Sequence, residues 1–353
     1  MIEKKIMLEE NKNRLLVLDS LRGLAAIMVV FFHYTMNREQ ANYGFRLGTT
    51  GVDLFFIISG FVIFLSLNKV SSSYEFVVNR LVRLYPTYWA SVTFTFILIY
   101  LTHYFQNIVY DPINIEYYLW NLTMFQFFNK IPDLDGPYWT LSIELLFYFL
   151  MLILFKIKVL KYANYIGLVL AVFFTICAHF CKEFTYIRVF MVEYPLFQFI
   201  PLFFAGISFY DLYTKKQNRF FIYLSLIVYL ICQILMYQYA GRSRNYISQT
   251  EYALMLSSFF ILFFLFVNNK LGFIVSKYTI FLGKISFCLY LIHQYLGFNT
   301  IIPKMMDNFG LNFWIAAVLI ALPITILIAT LITFFIEIPL NKKLKSLLLK
   351  KKQ

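Results

Sequence analysis

Residues 312–336 read NFWIAAVLIALPITILIATLITFFI and contain no charged side chain. A helix needs about 20 mostly apolar residues to cross the hydrocarbon core of a bilayer, and this stretch exceeds that length. The rest of the chain is similar, since 61% of its 353 residues are hydrophobic and only 14% are charged. Soluble domains average roughly 45–50% apolar residues. The sequence therefore predicts an all-α integral membrane protein and excludes a soluble enzyme, a disordered chain and a secreted disulfide scaffold.

A window of about 20 apolar residues identifies ten candidate transmembrane helices. Their ranges are 19–36, 50–67, 85–105, 139–156, 162–181, 194–212, 219–239, 251–268, 279–298 and 312–336. If the spans alternate in direction, 23 of the 31 Lys and Arg residues lie on the side of the N-terminus and 8 on the other. Because basic residues concentrate in cytoplasmic loops, this asymmetry predicts a cytoplasmic N-terminus and a cytoplasmic C-terminus.

The spans also divide the chain into segments. We expect a cytoplasmic segment at residues 1–14, a membrane domain at 15–340 and a basic cytoplasmic tail at 341–353. The connection at 106–138 is polar but carries aromatic residues, and we interpret it as a loop in or over the outer face. The net charge of +13 belongs to basic loops between apolar runs, so it does not predict a nucleic-acid partner. The four cysteines lie inside apolar runs without metal-ligand spacing, and we expect no metal.

Charged groups inside spans are the informative residues, because each one costs at least about 2.5–3.5 kcal/mol at the bilayer centre. In the first span Arg22 and His33 stand eleven positions apart. An ideal helix places them within about 20° of one another and about 16 Å apart along its axis. Asp19 can pair with Arg22 or cap the start of the helix. The alternative is that Arg22 reaches the interface and His33 is an ordinary polar residue near the outer boundary.

Two arginines precede the third span. Arg80 and Arg83 are three positions apart and share one helix face. Their forked donors suit phosphate oxygens, and the charge count places them on the cytoplasmic side. The alternative is that they only signal topology or contact lipid headgroups.

A carboxylate lies near the start of the fourth span. Glu144 follows Gly136–Pro137 and Trp139, and an apolar run follows it. A carboxylate there must be paired, protonated or facing a cavity, unless it lies in water at the outer boundary.

The other polar residues of the spans do not by themselves point to catalysis or ligand binding. Ser59 and Gly60, in the middle of the second span, favour close helix packing. His103 and His179 lie near span ends and are typical of the interface. His293 is deeper, and we interpret it as a packing histidine.

Taken together, these clusters resemble the acyltransferase 3 family of integral membrane acyltransferases. Six segments carry the resemblance, in the family's order: LDSLRGLAAIMVVFFHY (18–34), GVDLFFIISGF (51–61), FVVNRLVRLYPTYW (76–89), WTLSIELLFY (139–148), LGKISFCLYLIHQ (282–294) and IEIPLNKK (336–343). The first contains the spacing of Arg22 to His33 and the third contains the Arg80–Arg83 pair. In the fourth, Thr140 stands where the family commonly has Ser.

The resemblance implies ten core spans. The many Ile, Phe, Tyr, Lys and Asn residues are typical of an AT-rich bacterial source, and we expect the bacterial plasma (inner) membrane. The resemblance also implies transfer of an acyl group, usually acetyl, from cytoplasmic acyl-CoA to a hydroxyl of a surface or lipid-linked glycan. The expected partners are thus acyl-CoA (acetyl-CoA or another), a sugar acceptor and the bilayer. Some members carry an added hydrolase-like domain, and we expect this chain to be a stand-alone transferase.

Residue roles follow from the same resemblance. His33 is the expected general base, since a histidine with a pKa near its ordinary value of about 6.5 is neutral at physiological pH. Arg80 and Arg83 are expected to hold the CoA phosphates, and Arg22 to hold phosphate or position the thioester arm. Glu144 would orient His33 or bind the acceptor sugar. The expected supporting residues are Asp19, Trp139 and Ser142.

Two other functions fit the same composition. A transporter or flippase for a glycan or lipid precursor would also have ten spans, buried charges and a basic cytoplasmic face. It would not need an arginine pair at the cytoplasmic mouth, and the spans show no internal repeat. A non-catalytic membrane scaffold or sensor is the third possibility. Release of free CoA from acyl-CoA separates the enzyme from both.

Overall fold

A computed structural model describes residues 2–105, 114–180, 186, 194–214, 218–238 and 243–349. Within these ranges every regular element is a helix, which confirms the all-α class. The α-helices, numbered here in chain order, are α1 (Ile2–Thr35), α2 (Gly51–Leu67), α3 (Ser73–Phe105), α4 (Ile115–Leu122), α5 (Trp139–Lys156), α6 (Ala163–Phe180), α7 (Leu196–Thr214), α8 (Arg219–Leu235), α9 (Gln249–Val267), α10 (Lys277–His293), α11 (Ile302–Phe309), α12 (Leu322–Ile332) and α13 (Ile338–Leu348).

In this part of the chain, nine helical runs are long and apolar enough to cross a membrane. They are Leu16–Thr35, Phe45–Leu67, Ser73–Tyr104, Gly136–Lys156, Leu160–His179, Leu196–Thr214, Gln249–Val267, Lys277–Phe309 and Ile315–Leu348. The other predicted span, 219–239, corresponds to α8, an apolar helix of 17 residues. Each predicted span therefore coincides with an apolar helix, while the cytoplasmic location of both termini stays a prediction.

The structure differs from the predicted helix ends at several places. α3 begins at Ser73 and not at 85, and the last helical run continues to Leu348 and does not end at 336. α1 begins at Ile2, so the segment before the first span is helical and continuous with it. The ninth predicted span, 279–298, lies inside a longer helical run, Lys277–Phe309. In that run the backbone changes to a π-helix over Gln294–Ile301, directly after α10. Such π-helical turns are rare and often occur at functional sites.

By contact density the chain divides into two compact units. The first comprises Met1–Phe32, Arg38–Ser73 and Ile143–Gly283. The second comprises His33–Asn37, Tyr74–Ser142 and Lys284–Gln353.

Within the first unit, α2 and α7 pack with their backbones in close approach. A Cβ atom at Gly60 would overlap the backbone of Phe203, and one at Gly206 would overlap the backbone of Ile57. Small residues permit this approach, which gives van der Waals contact along both helices. The prediction that Gly60 serves helix packing is confirmed.

The second unit contains the connection that follows α3. Its described part does not lie beyond the end of α3 but runs along its side. Trp89 Nε1 donates to the carbonyl of Leu122 at 2.9 Å, and the Tyr85 hydroxyl donates to the carbonyl of Thr123 at 3.0 Å. These contacts show that the segment folds back along α3, and its location in or over the outer face stays a prediction. The carbonyls at the end of α4 need donors, and side chains in the first half of α3 supply them.

Candidate active site

Two histidines meet in the second unit. His33 Nδ1, near the end of α1, lies 2.9 Å from His293 Nε2, in the last residue of α10. The two ring centroids are 4.9 Å apart. His293 has no solvent exposure, whereas His33 is half-buried. The expected general base therefore has a fixed hydrogen-bond partner on one ring nitrogen.

The second ring nitrogen of His293 is also engaged. His293 Nδ1 lies 2.8 Å from the backbone carbonyl oxygen of Tyr290, one turn earlier in α10. A carbonyl oxygen accepts only, so Nδ1 is the donor in this hydrogen bond. The Tyr290 hydroxyl makes a hydrogen bond with Thr140 Oγ1 at 3.1 Å. The histidine pair is thus connected to the start of α5.

Close packing holds the residues next to both histidines. Tyr34 has no solvent exposure, and its hydroxyl lies 2.9 Å from Thr325 Oγ1 in α12. The Tyr34 ring covers the backbone of Gly297, where a Cβ atom would overlap it. Glycine at position 297 therefore allows the end of α1 to reach the π-helical stretch that follows His293.

A buried carboxylate holds the other side of that stretch. Asp135 accepts hydrogen bonds from the backbone N–H of Tyr295 at 3.1 Å and from that of Gly136 at 2.8 Å. It precedes the span that begins at Gly136, and burial raises its pKa from 3.8 to about 8, against the lowering effect of both backbone donors. Asp135 thus anchors the backbone two residues after His293.

The arginine pair lies on α3 in the same unit. Arg80 and Arg83 are both half-buried, and the Arg80 guanidinium lies 5.9 Å from the ring centroid of Phe76. Arg83 attracts Glu337, a buried carboxylate at the end of a further π-helical stretch, Thr333–Glu337. Arg80 and Arg83 share one face of α3.

A lysine that the sequence analysis did not single out belongs to this group. α13 runs antiparallel to the first turns of α3, since the Tyr74 hydroxyl donates to the carbonyl of Leu348 at 3.2 Å and Asn341 lies against the carbonyl of Val82. This register places Lys345 beside the arginines, and their charges repel it. Three cations on two neighbouring helices give the group the character of an anion site. We call Arg80, Arg83 and Lys345 the basic cluster.

The first unit contains three of the predicted site residues. Arg22 and Asp19 form an ion pair at 3.2 Å, with 17% and 36% of their side chains exposed. Asp19 is therefore a partner of Arg22 rather than a helix cap, because α1 begins far upstream. Arg22 and His33 are both residues of α1, as predicted.

Glu144 also belongs to the first unit. Its Oε1 accepts two hydrogen bonds, from the Tyr148 hydroxyl at 2.6 Å and from Ser59 Oγ at 3.1 Å. Ser59, expected to serve helix packing alone, therefore also binds this carboxylate. Two donors on one oxygen orient the second oxygen, Oε2. The expected role of Glu144 toward His33 or the acceptor sugar stays a prediction.

The remaining predicted residues lie at the start of α5. The Ser142 hydroxyl donates to the carbonyl of Met124 at 2.8 Å, where the backbone has a φ of 63°. Ser142 thus stabilises the strained end of the segment that runs along α3. Trp139 is half-buried in the first turn of α5.

Comparison with known proteins shows what the chain is similar to. A family model with the description "Acyltransferase domain", that of the acyltransferase 3 family, matches residues 15–334. "Putative acetyltransferase ORF330" of Acidianus two-tailed virus is 25% identical over 279 residues, covering 77% of this chain and 80% of the viral protein. "Exopolysaccharide production protein ExoZ" of Rhizobium meliloti (strain 1021) is 31% identical over 115 residues, covering 31% of this chain and 35% of that protein. No solved structure matches the chain.

The family match extends over most of the chain and includes every residue of the histidine pair and both arginines. The protein therefore belongs to the acyltransferase 3 family and is an O-acyltransferase built from membrane-spanning helices.

Proposed function

We propose that this enzyme moves an acyl group, most simply acetyl, from acyl-CoA to a hydroxyl of a surface or lipid-linked glycan. The observation that carries the proposal is the hydrogen bond between His33 and His293 in a chain of the acyltransferase family. The exopolysaccharide function in the name of the Rhizobium relative supports a sugar acceptor.

The reaction needs a base but no activating step. A thioester is already an activated acyl donor, so the acceptor hydroxyl must lose its proton as its oxygen attacks the carbonyl carbon. We assign His33 to take that proton. The carbon–sulfur bond then breaks, the ester forms, and the imidazolium of His33 returns its proton to the CoA thiolate. The enzyme ends in its starting protonation state.

The basic cluster is the proposed donor site. CoA carries a diphosphate and a 3′-phosphate, whose oxygens match guanidinium donors. Arg80 and Arg83, three residues apart on one face, suit the diphosphate. Lys345, on a different helix, is a compact cation that suits the separate 3′-phosphate. We propose that these phosphates stay at the cytoplasmic mouth while the thioester arm enters the membrane.

Arg22 and Glu144 lie in the first unit, and their proposed roles concern that unit alone. Arg22 would hold a phosphate or guide the thioester arm, with Asp19 limiting its movement. Glu144 would accept a hydrogen bond from the sugar through Oε2, because Tyr148 and Ser59 both donate to Oε1. A carboxylate oxygen at this position would favour an acceptor that donates a hydroxyl hydrogen over one that presents an apolar group.

The test uses the full-length protein in lipid nanodiscs with acetyl-CoA and a lipid-linked glycan fraction. Free CoA and the acetylated glycan are measured together, by a thiol assay and by mass spectrometry. The proposal expects equal amounts of both products, and neither from protein with His33→Ala. A transporter or scaffold releases no CoA, and that result would refute the enzyme assignment.

A further inference from the structure

We propose that His293 is a positioning residue, which holds His33 in the tautomer with its proton on Nδ1. In that tautomer His33 Nε2 has the lone pair that accepts the proton of the acceptor hydroxyl. The inference deepens the proposed function and rests on it for the role of His33 as base. It assigns a function to a histidine whose sequence context indicated helix packing alone.

The direction of the hydrogen bonds follows from the carbonyl of Tyr290. His293 Nδ1, at 2.8 Å from that oxygen, must carry a hydrogen. A neutral imidazole has one hydrogen, so Nε2 of His293 has a lone pair. Since His33 Nδ1 lies 2.9 Å from this nitrogen, His33 must supply the hydrogen between them. His33 is then protonated on Nδ1 and unprotonated on Nε2.

The opposite direction, in which His293 Nε2 donates to His33 Nδ1, is unfavourable whether His293 is neutral or charged. If His293 donated from Nε2 while neutral, its Nδ1 lone pair would face the Tyr290 carbonyl oxygen at 2.8 Å. If both its nitrogens were protonated, a cation would lie at a position with no solvent exposure. Taking a charge out of water costs several kcal/mol unless a partner compensates it. The neutral donor–acceptor chain from His33 to His293 to Tyr290 avoids both costs.

The pair also suits the charge that forms during transfer. When His33 Nε2 takes the hydroxyl proton, the ring becomes an imidazolium whose Nδ1–H still points at His293 Nε2. A hydrogen bond from a charged donor is roughly twice as strong as a neutral one, so this contact strengthens as the barrier is crossed. The proton then returns from His33 Nε2 to the CoA thiolate, and His293 keeps its own proton throughout.

The neighbours of the pair keep this geometry. Tyr34 packs on Gly297, and Asp135 binds the N–H of Tyr295. The backbone that follows each histidine is therefore held. A base held by packing within about 0.5 Å of its working position needs little reorganisation during reaction.

Substitution separates positioning from packing. His293→Gln keeps an acceptor oxygen within reach of His33 Nδ1, whereas His293→Leu removes it and keeps an apolar volume. We expect His293→Leu to lower kcat by about 10²-fold with an unchanged KM for acyl-CoA, and His293→Gln to recover most of that loss. His103→Leu, a half-buried histidine of α3 outside the site, is the matched control and should behave as wild type. Equal loss in the Gln and Leu variants would contradict the proposal.

A spectroscopic measurement tests the tautomer without any substrate. The chain has four histidines, so ¹⁵N-histidine labelling of the full protein in nanodiscs gives few ring signals, which His33→Gln and His293→Gln assign. We expect a protonated Nδ1 and an unprotonated Nε2 for His33 in wild type. A protonated Nε2 would overturn the inference, even if the protein transfers acyl groups. The expected tautomer in a protein that releases no CoA would instead refute the proposed function.

Discussion

The ring of Tyr34 lies directly on the backbone of Gly297, with no room for a Cβ atom between them. Tyr34 follows His33 in the chain, and Gly297 lies four residues after His293. This contact therefore holds the chain next to His33 against the chain that follows His293.

Gly297→Ala tests that relationship. The added methyl group must displace a fully buried ring, and overpacking of this kind typically costs about 1–3 kcal/mol. We expect lower thermal stability, and a fall in kcat larger than any change in KM for acyl-CoA, because the histidine pair is pushed apart. Gly272→Ala is the control, since a Cβ atom there meets nothing within 4 Å. Wild-type turnover in the Gly297 variant would show that the contact does not position the site.

The arginine pair yields a prediction about donor binding. Arg80→Ala and Arg83→Ala should each weaken acyl-CoA binding by about tenfold, since hydrogen bonds to charged groups contribute about 1.5–3 kcal/mol. Lysine at either position should restore only part of the affinity, because it keeps the charge and loses the fork. Isothermal calorimetry with a non-hydrolysable acyl-CoA measures this. Unchanged affinity in the double alanine variant would remove the arginines from the donor site.

Lys345 yields a prediction about recognition of the 3′-phosphate of CoA. Wild type should prefer acetyl-CoA over its analogue without the 3′-phosphate, and Lys345→Ala should reduce this preference by about two- to fivefold at low salt, as expected for an exposed ion pair. Lys343→Ala, an exposed lysine of the same helix, should keep the wild-type ratio. If Lys345→Ala and Lys343→Ala lower the preference for acetyl-CoA equally, the total positive charge of α13 attracts the 3′-phosphate, and Lys345 has no specific role.

Asp135 makes stability depend on pH. Its folded pKa of about 8 lies above its ordinary value of 3.8, so the folded protein binds a proton that the unfolded chain releases. The stability that Asp135 contributes is therefore fully present below about pH 4 and is lost as pH rises to about 8. The melting temperature of wild type, relative to Asp135→Asn, should decline over this interval and level off above it. Asp307→Asn, an exposed carboxylate variant, should show no such trend; a flat difference for Asp135→Asn would contradict the assignment.

Much of the fold follows from the sequence, because lipid requires long apolar helices. The ten predicted spans all coincide with apolar helices, and the close packing at Gly60 was predicted from its size. The path of the segment after α3 could not be read in the same way. Its position depends on hydrogen bonds from Tyr85 and Trp89 to backbone carbonyls, which no apolar pattern encodes.

The site was predictable only in part, for a related reason. The cost of an ionisable residue in lipid drew attention to His33, and the spacing of Arg80 and Arg83 on one helix face drew attention to the arginines. The partners His293 and Glu337 are hundreds of positions away in the chain, and nothing in a single sequence pairs them with His33 or Arg83. The sequence indicated only that His293 lies in an apolar run, and this position is equally typical of a histidine that serves helix packing.

The central claim is that His33 is the general base. The most direct measurement is single-turnover acetyl transfer by His33→Ala protein, correctly inserted in nanodiscs and saturated with acetyl-CoA. We expect the rate to fall by at least about 10²–10⁴-fold with donor binding retained, because the hydroxyl then has no positioned base. Acetylation of the glycan at a rate near that of wild type would contradict the mechanism.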